Sequence, residues 1–195
     1  SAMLAIGEAY LKVAWGLVDV ALAGGAECPL QRDVAAAFLA AGILARDNGT
    51  PAACRPFDLH RGGTVLGEGA GALVLESEAH ALARGARIHA LVSGFGMACE
   101  TTSATAPDPE GTGVVAAARQ ALGAAGVHDV GWVKTHGTGT KLNDAAECRG
   151  LARLFGARFA DVPLTALKGA VGHAMGASGA IESVAAILAL GRGLV

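Results

Sequence analysis

Two histidines in glycine-rich turns are the residues of this sequence best suited to chemistry. His136 lies in T-H-G-T-G-T, and His173 lies in G-A-V-G-H-A-M-G-A-S-G. Two imidazole N–H groups that converge on one oxygen stabilise an enolate or a tetrahedral oxyanion, and loss of one such donor typically costs about 2.7–4 kcal/mol of transition-state stabilisation. The hydrogen bond made by the other ring nitrogen decides which nitrogen offers the proton. The pattern therefore predicts one oxyanion site built from both rings.

Each histidine follows a predicted strand and precedes a predicted helix. A β-prone run at Trp132 and Val133 ends in His136, and Val162–Leu167 is predicted to be a second strand before His173. Ligands of open α/β sheets bind beyond the carboxyl ends of the strands. We therefore predict that both histidines lie at the same sheet edge and point at a single site.

Charged residues near the two turns have predicted supporting roles. Asp144 and Glu147 have the three-residue spacing of a capping box, so they are predicted to start a helix. Glu182 is the lone charge in the predicted apolar helix Ala180–Leu190 and needs a buried partner. Lys168, five residues before His173, either holds a buried carboxylate or is a solvated surface lysine.

Alternative chemistries are less consistent with the pattern. A purely structural role for the histidines stays open, but metal ligation lacks an H-x-x-x-H spacing or a nearby third ligand, so no metal is predicted. Ser178 lies in G-A-S-G-A and does not form the G-x-S-x-G elbow of serine hydrolases. The Gly94-x-Gly96 and Gly111-x-Gly113 pairs do not stand between a strand and a helix, as a dinucleotide fingerprint requires.

Strand and helix patterns alternate along the rest of the chain, which predicts a layered α/β fold with a mixed sheet. The predicted helices are Ala2–Gly16, Glu78–Arg84 and Gly113–Ala125, with Val34–Leu44 helical or irregular; the further strands are Val18–Leu22, Leu73–Leu75 and Ile88–Ser93; the loops are Arg46–Pro56 and Ala98–Pro109.

Composition excludes several classes of protein. The 195 residues carry a net charge of −2, with no basic stripe for nucleic acid and no polybasic helix for a membrane surface. Cys28, Cys54, Cys99 and Cys148 show no zinc spacing, so we predict reduced thiols in a cytoplasmic protein. Hydrophobic residues make up 52% of the chain, which favours burial against a partner subunit. Both ends look cut, so the chain is predicted to be a piece of a longer domain.

Five segments in a fixed order resemble the β-ketoacyl-acyl carrier protein synthases, the condensing enzymes of fatty acid and polyketide synthesis. The segments are G-G-A-E (24–27), C-R-P-F-D (54–58), G-E-G-A-G-A-L-V-L-E (67–76), T-H-G-T-G-T-K-L-N-D-A-A-E (135–147) and L-K-G-A-V-G-H-A-M-G-A-S-G-A-I-E (167–182). The resemblance implies a partial thiolase-like fold with α-β-α-β-α layers. Residues 1–88 would end its first half, and residues 89–195 would form most of its second half.

The resemblance also implies a reaction and its residues. A malonyl thioester loses carbon dioxide, and the enolate attacks an acyl chain held on a cysteine. His136 and His173 would bind the malonyl carbonyl, with Lys168 supporting them. Further residues would support this site: Glu147, Asp144, Glu182 and Lys134 around it, and Thr64, Thr138 and Thr140 in the substrate pocket. No free cofactor is implied. The substrates are carried on the phosphopantetheine of an acyl carrier protein, and the protein would be a homodimer or a ketosynthase heterodimer.

Departures from the family pattern lead to further predictions. The nucleophilic cysteine would fall about two residues before Ser1, and the C-terminal glycine-rich turn would lie beyond Val195, so the chain alone is predicted not to condense substrates. Thr64 stands where members often have an aromatic residue, which would loosen the malonyl pocket. Some members hold a cation near the position of Lys134, whose ammonium would replace it. The alternatives are a non-catalytic chain-length-factor-type partner, which usually lacks both histidines, and a degradative thiolase, which the H-G-T-G-T turn disfavours.

Overall fold

A computed structural model of the chain describes residues 1–46, 53–127 and 129–194. Its helices are α1 (Ala2–Ala14), α2 (Arg32–Ala40), α3 (Glu78–Ala83), α4 (Thr112–Ala125), α5 (Lys141–Phe155), α6 (Lys168–Val171) and α7 (Ser178–Gly191). Its strands are β1 (Val20–Glu27), β2 (Gly69–Glu76), β3 (Val133–Lys134) and β4 (Leu164–Thr165), and short 3₁₀ turns cover Gly156–Asp161 and Met175–Ala177.

Strands β1 and β2 form an antiparallel pair that contains the glycine-rich segments. The ladder runs from Val20 opposite Glu76 to Glu27 opposite Gly69. The strands predicted at Val18–Leu22 and Leu73–Leu75 therefore extend into the neighbouring glycine-rich segments, which the prediction left outside them. The glycines allow close approach: a Cβ at Gly71 would lie 2.8 Å from the backbone of Ala180 in α7. The glycines of β2 are thus explained by the packing of α7 on the strand, which a local sequence pattern does not reveal.

One face of the β1–β2 pair is covered and the other is open. Helices α1 and α7 pack on the covered face, where the buried cluster consists of Ala2, Ile6, Ala9, Ala23, Leu75 and Ala180. On the opposite face Leu22 lies across from Val74, and these side chains are 76% and 64% exposed. Small side chains in the covered face bring helices and sheet together closely.

The second half of the chain contains a parallel pair, β3 and β4, with α4 packed on α5. The strand predicted at Val162–Leu167 shortens to Leu164–Thr165. The predicted strand Ile88–Ser93 has no ladder partner among the described residues and is irregular. In the part of the chain that the structure describes, one antiparallel pair and one parallel pair lie in separate sheets, instead of the single mixed sheet that we predicted.

The remaining predictions agree with the structure apart from shifted ends. The helices predicted at 2–16, 78–84, 113–125 and 180–190 are present, the irregular alternative for 34–44 gives way to α2, and 98–109 is a loop. Most of the loop predicted at 46–56 lies outside the described residues. Within the described ranges, every helix is too short or too polar to cross a membrane.

Candidate active site

Two carboxylates of α5 accept hydrogen bonds from the backbone of the turn that carries His136. Glu147 accepts hydrogen bonds from the backbone N–H groups of His136 (2.6 Å) and Gly137 (2.9 Å). Asp144 accepts from the N–H groups of Thr138 (3.0 Å) and Gly139 (3.2 Å). Both glycines have positive φ, 45° and 77°, which favours glycine there.

The predicted capping box at Asp144 and Glu147 is wrong. Helix α5 begins at Lys141 after Thr140, so both acidic residues lie inside it and both side chains are buried. They bind the N–H groups of the preceding turn instead of those at the helix start. Both buried carboxylates are therefore part of the site, whereas their spacing alone predicted that they start the helix.

Asp144 also joins the turn to the loop around residue 57. Its Oδ2 accepts from the N–H of Phe57 at 2.8 Å, and Arg61 Nε lies 3.7 Å away. This carboxylate thus serves three backbone donors on two segments that are distant in the sequence.

We predict that Asp144→Asn lowers the free energy of unfolding by about 1–3 kcal/mol, because the amide NH₂ leaves one of these buried backbone donors without an acceptor. Urea denaturation measures the change. The matched control is Asp129→Asn, whose carboxylate pairs with Arg158 at the surface and should have little effect. Equal stability of Asp144→Asn and the native chain would contradict this account.

The turn that carries His173 is connected to the first turn by residues 63–67. His173 N–H donates to Val65 O (2.7 Å), and Gly67 N–H donates to His173 O (3.1 Å). At the other end of this segment, Gly63 N–H donates to Gly139 O (3.0 Å). Residues 63–67 therefore bridge the two histidine turns. Only Thr64 of this segment is among the predicted site residues, because no spacing rule relates the segment to either histidine.

The two imidazole rings lie together, with centroids 5.4 Å apart and planes at 84°. The turn of His136 directly follows β3, whereas the short helix α6 separates β4, the parallel neighbour of β3, from the turn of His173. The prediction of a strand-end position is therefore confirmed for His136 and wrong for His173. Rings at this separation and angle are close to edge-to-face contact, so a small group that binds both of them would lie beside the pair.

Hydrogen bonds to the Nδ1 atoms assign the protons. The Lys168 ammonium, which can only donate, lies 3.3 Å from His136 Nδ1, and the N–H of Met175 donates to His173 Nδ1 at 3.1 Å. Both Nδ1 atoms are therefore acceptors, and each neutral ring carries its proton on Nε2. Two Nε2–H groups are thus available as donors.

Lys168, Glu182 and Lys134 form a buried ion cluster beneath the rings. Lys168 is fully buried and donates to Glu182 Oε1 (2.6 Å) and to His136 O (2.7 Å). Lys134 pairs with the other oxygen, Oε2, of Glu182. The prediction that Glu182 needs a buried partner is confirmed, and the surface alternative for Lys168 is wrong.

Desolvation keeps the imidazoles neutral. Burial of the ring, reinforced by the positive charge of Lys168, lowers the pKa of His136 to about 3 and that of His173 to about 4. This holds although residue 136 as a whole retains an exposed surface. Desolvation also lowers the pKa of Lys134 and raises that of Glu147.

We predict that stability falls as the pH drops from about 6.5 towards about 4. In that range the histidines are protonated in the unfolded chain but not in the folded protein, so proton binding favours unfolding. Above about pH 6.5 these histidines are neutral in both states and cause no loss of stability. Urea midpoints measured across this range test the effect. The double variant His136→Gln/His173→Gln should show a shallower slope, and an unchanged slope would contradict the prediction.

The three predicted pocket threonines lie around the first turn. Thr138 is buried, and its hydroxyl lies 2.9 Å from that of Thr140. Thr64 is 3% exposed and lies beside the Cys54 thiol. Within the described ranges, the hydroxyl of Thr64 is buried without a well-aligned hydrogen-bond partner.

The start of α1 lies beside the second turn. A Cβ on Gly176 would lie 2.8 Å from Glu27 Oε2 and 3.6 Å from Ser1 Oγ, and Gly176 N–H donates to Glu27 at 3.1 Å. Ser1, just ahead of α1, is therefore close to the turn that carries His173.

Family comparison covers almost the whole chain. Residues 1–81 match the N-terminal domain of beta-ketoacyl synthases, and residues 89–195 match the C-terminal domain. The chain belongs to the beta-ketoacyl synthase family. Its architecture is part of the thiolase-like fold, as the solved ketosynthases that it resembles indicate.

Individual relatives show the extent of the similarity. Nodulation protein E of Rhizobium sp. (strain N33) is 40% identical over 100% of this chain and 47% of its own length, and 3-oxoacyl-[acyl-carrier-protein] synthase 2 of Rhizobium meliloti (strain 1021) is 40% identical over 95% and 45%. A beta-ketoacyl synthase from Burkholderia phymatum STM815 superposes with a TM-score of 0.90 at 40% identity, covering 98% of this chain and 46% of that one.

A polyketide system gives a similar result. A chain of the AntDE:AntF complex, a type II acyl-carrier protein with its ketosynthase bound to the hexaketide, superposes with a TM-score of 0.94 at 34% identity, covering 96% of this chain and 47% of that chain. The chain spans about half the length of the curated relatives that it matches.

Proposed function

We propose that this chain is the decarboxylation half of a β-ketoacyl-acyl carrier protein synthase. The bond between the α-carbon and the carboxylate of a malonyl thioester breaks, carbon dioxide leaves, and the electron pair forms an enolate with its charge on the thioester oxygen. The enolate carbon attacks an acyl thioester on a cysteine, and the cysteine thiolate leaves. A β-ketoacyl thioester remains on the carrier.

The observation that supports this reaction is the pair of Nε2–H donors on His136 and His173, with ring centroids 5.4 Å apart. Both rings are neutral at neutral pH, and each offers Nε2–H as its donor because its Nδ1 accepts a hydrogen bond. Donors fixed in place before the reaction stabilise a developing oxyanion without reorganising. The thioester oxygen would lie beside the two rings and accept from both Nε2–H groups.

The other charged residues would support the rings. Lys168 orients His136 through its contacts with Nδ1 and the carbonyl oxygen, and Glu182 holds Lys168. Lys134 neutralises the second oxygen of Glu182, as an inorganic cation would. Through the turn N–H groups, Glu147 and Asp144 fix the position of the first ring.

The missing parts of the reaction would come from outside residues 1–195. We infer that the nucleophilic cysteine precedes Ser1, ahead of α1 and close to the turn of His173. Consequently the chain alone would not condense substrates. The two halves would meet near residues 88 and 89, close to the gap between the two family matches.

Substrates and partners follow from the relatives. An acyl carrier protein would deliver both thioesters, as in the complex of an acyl-carrier protein with its ketosynthase, so no free cofactor is needed. Pairing with a second ketosynthase-like chain is proposed because a solved relative is a ketosynthase/chain length factor. The free cysteines among the described residues are consistent with a cytoplasmic setting. No observation favours a non-catalytic chain-length factor for this chain, since both histidines are in place.

We predict that Thr64→Phe changes the KM for the malonyl thioester, because Thr64, Thr138 and Thr140 are proposed to line its pocket and the larger ring would reduce that space. Steady-state kinetics of the protein that carries this chain measure KM. Thr64→Val keeps the volume of the side chain and serves as the control. An unchanged KM in Thr64→Phe would show that residue 64 does not line the pocket.

The function is tested with malonyl-acyl carrier protein. Mass spectrometry follows its conversion to acetyl-acyl carrier protein, and added acyl-acyl carrier protein tests for a β-ketoacyl product. We expect decarboxylation by the protein that carries this chain and no condensation by residues 1–195 alone. A β-ketoacyl product from residues 1–195 would contradict the inferred position of the nucleophile, and absence of decarboxylation by the longer protein would refute the function.

A further inference from the structure

Ser178 is a buried serine whose hydroxyl is not used by the helix that it begins. Serines at helix starts usually accept a hydrogen bond from a backbone N–H as the N-cap residue. Here the N-cap is Ala177, and Ser178 is already the first helical residue of α7, with 6% of its surface exposed. A buried hydroxyl requires a hydrogen-bond partner, and helix capping does not supply one.

The partner is the second histidine. Ser178 Oγ lies 3.0 Å from His173 Nδ1, which also accepts the N–H of Met175 at 3.1 Å. Since Nδ1 has no proton in this arrangement, the hydroxyl donates to it. Two donors therefore converge on Nδ1, and both favour the tautomer with its proton on Nε2.

The two rings are held by different means. His136 is oriented by a charged donor, Lys168, which the carboxylate of Glu182 holds in place. Among the described residues, no ammonium donates to His173; its neutral donors are a hydroxyl and one backbone N–H. That N–H belongs to Met175, whose φ of 38° is unusual for a residue other than glycine. The turn alone is therefore a strained support for the ring.

We propose that Ser178 is a positioning residue for His173, the counterpart of Lys168 at His136. Its hydroxyl holds the ring so that Nε2–H points at the substrate oxygen. The catalytic part of this inference rests on the proposed function, whereas the orientation and tautomer of the ring do not. Ser178 itself does not contact the substrate.

The first test is nitrogen NMR of the imidazoles in the purified protein, with Ser178→Ala as the variant. Loss of the hydroxyl should move the Nδ1 resonance of His173 downfield, towards that of a ring nitrogen with fewer donors, while His136 keeps its resonance. The matched control is Ser183→Ala in the same helix, whose hydroxyl donates to Gly179 O at 2.7 Å and should leave both resonances unchanged. An unmoved His173 resonance would overturn the proposal.

The second test is a double-mutant cycle on decarboxylation. Ser178→Ala should lower kcat by about 2- to 10-fold, the effect of one ordinary hydrogen bond, with little change in KM. In a His173→Ala background the same substitution should have no further effect. A loss that persists in that background would mean a structural role and would overturn the proposal. If no variant decarboxylates, the proposed function fails, and the NMR result alone decides the role of Ser178.

Discussion

Replacing His136 with alanine is expected to lower the rate of malonyl-thioester decarboxylation by about 10²- to 10³-fold. The substitution removes one of the two Nε2–H donors that we propose bind the developing oxyanion, and water that fills the space is not fixed in the required orientation. Because the lost hydrogen bond would be stronger to the oxyanion than to the uncharged thioester, kcat should fall more than KM rises. The rate is measured as acetyl-acyl carrier protein formed under saturating malonyl-acyl carrier protein.

The same assay on His173→Ala should give a loss of similar size. The double variant should lose less than the product of the two single losses, because both donors serve one oxygen and act as a unit. His60→Ala removes an imidazole at the surface and is the matched control, expected to keep the native rate. A native rate in either single variant would show that the two rings do not share the reaction.

Replacing Glu182 with glutamine is expected to destabilise the protein by about 3–5 kcal/mol. The side chain of Glu182 is 7% exposed and separates two ammonium groups, those of Lys168 and Lys134. Without its charge, two neighbouring positive charges remain in a poorly solvated place and repel each other. Chemical denaturation gives the change in free energy of unfolding.

A surface ion pair provides the control for this experiment. Glu8 and Lys12 pair across one turn of α1 with their side chains 65% and 51% exposed, and Glu8→Gln should hardly change stability. The orientation of Lys168 also depends on Glu182, so decarboxylation by Glu182→Gln should decrease at temperatures where the variant is still folded. A stable Glu182→Gln protein would mean that the ion cluster does not hold the site together.

Local patterns determined most of the candidate site. A strand followed by a glycine-rich turn and a helix placed His136 at a strand end, and the lone charge in an apolar helix required a partner for Glu182. These inferences succeeded because each depends on residues only a few positions apart. The same reasoning located the helices, whose apolar spacing is a local property.

Tertiary contacts explain the residues whose roles local patterns predicted incorrectly. The spacing of Asp144 and Glu147 fits a capping box, but their carboxylates bind the N–H groups of the histidine turn. The glycines of β2 resemble turn formers, but they allow α7 to pack closely on the strand. In both cases the residues contact a different element of the fold, and local spacing carries no information about such a contact.

The amino-acid sequence by itself therefore determined the family, the two histidine turns and the residue types around them. Only the tertiary structure decided the tautomers of the rings, the three-membered ion cluster and the contact between Ser178 and His173. The physical reason is range. Backbone conformation and apolar periodicity are set by neighbouring residues, whereas a buried hydrogen bond depends on the packing that brings distant segments within about 3 Å of each other.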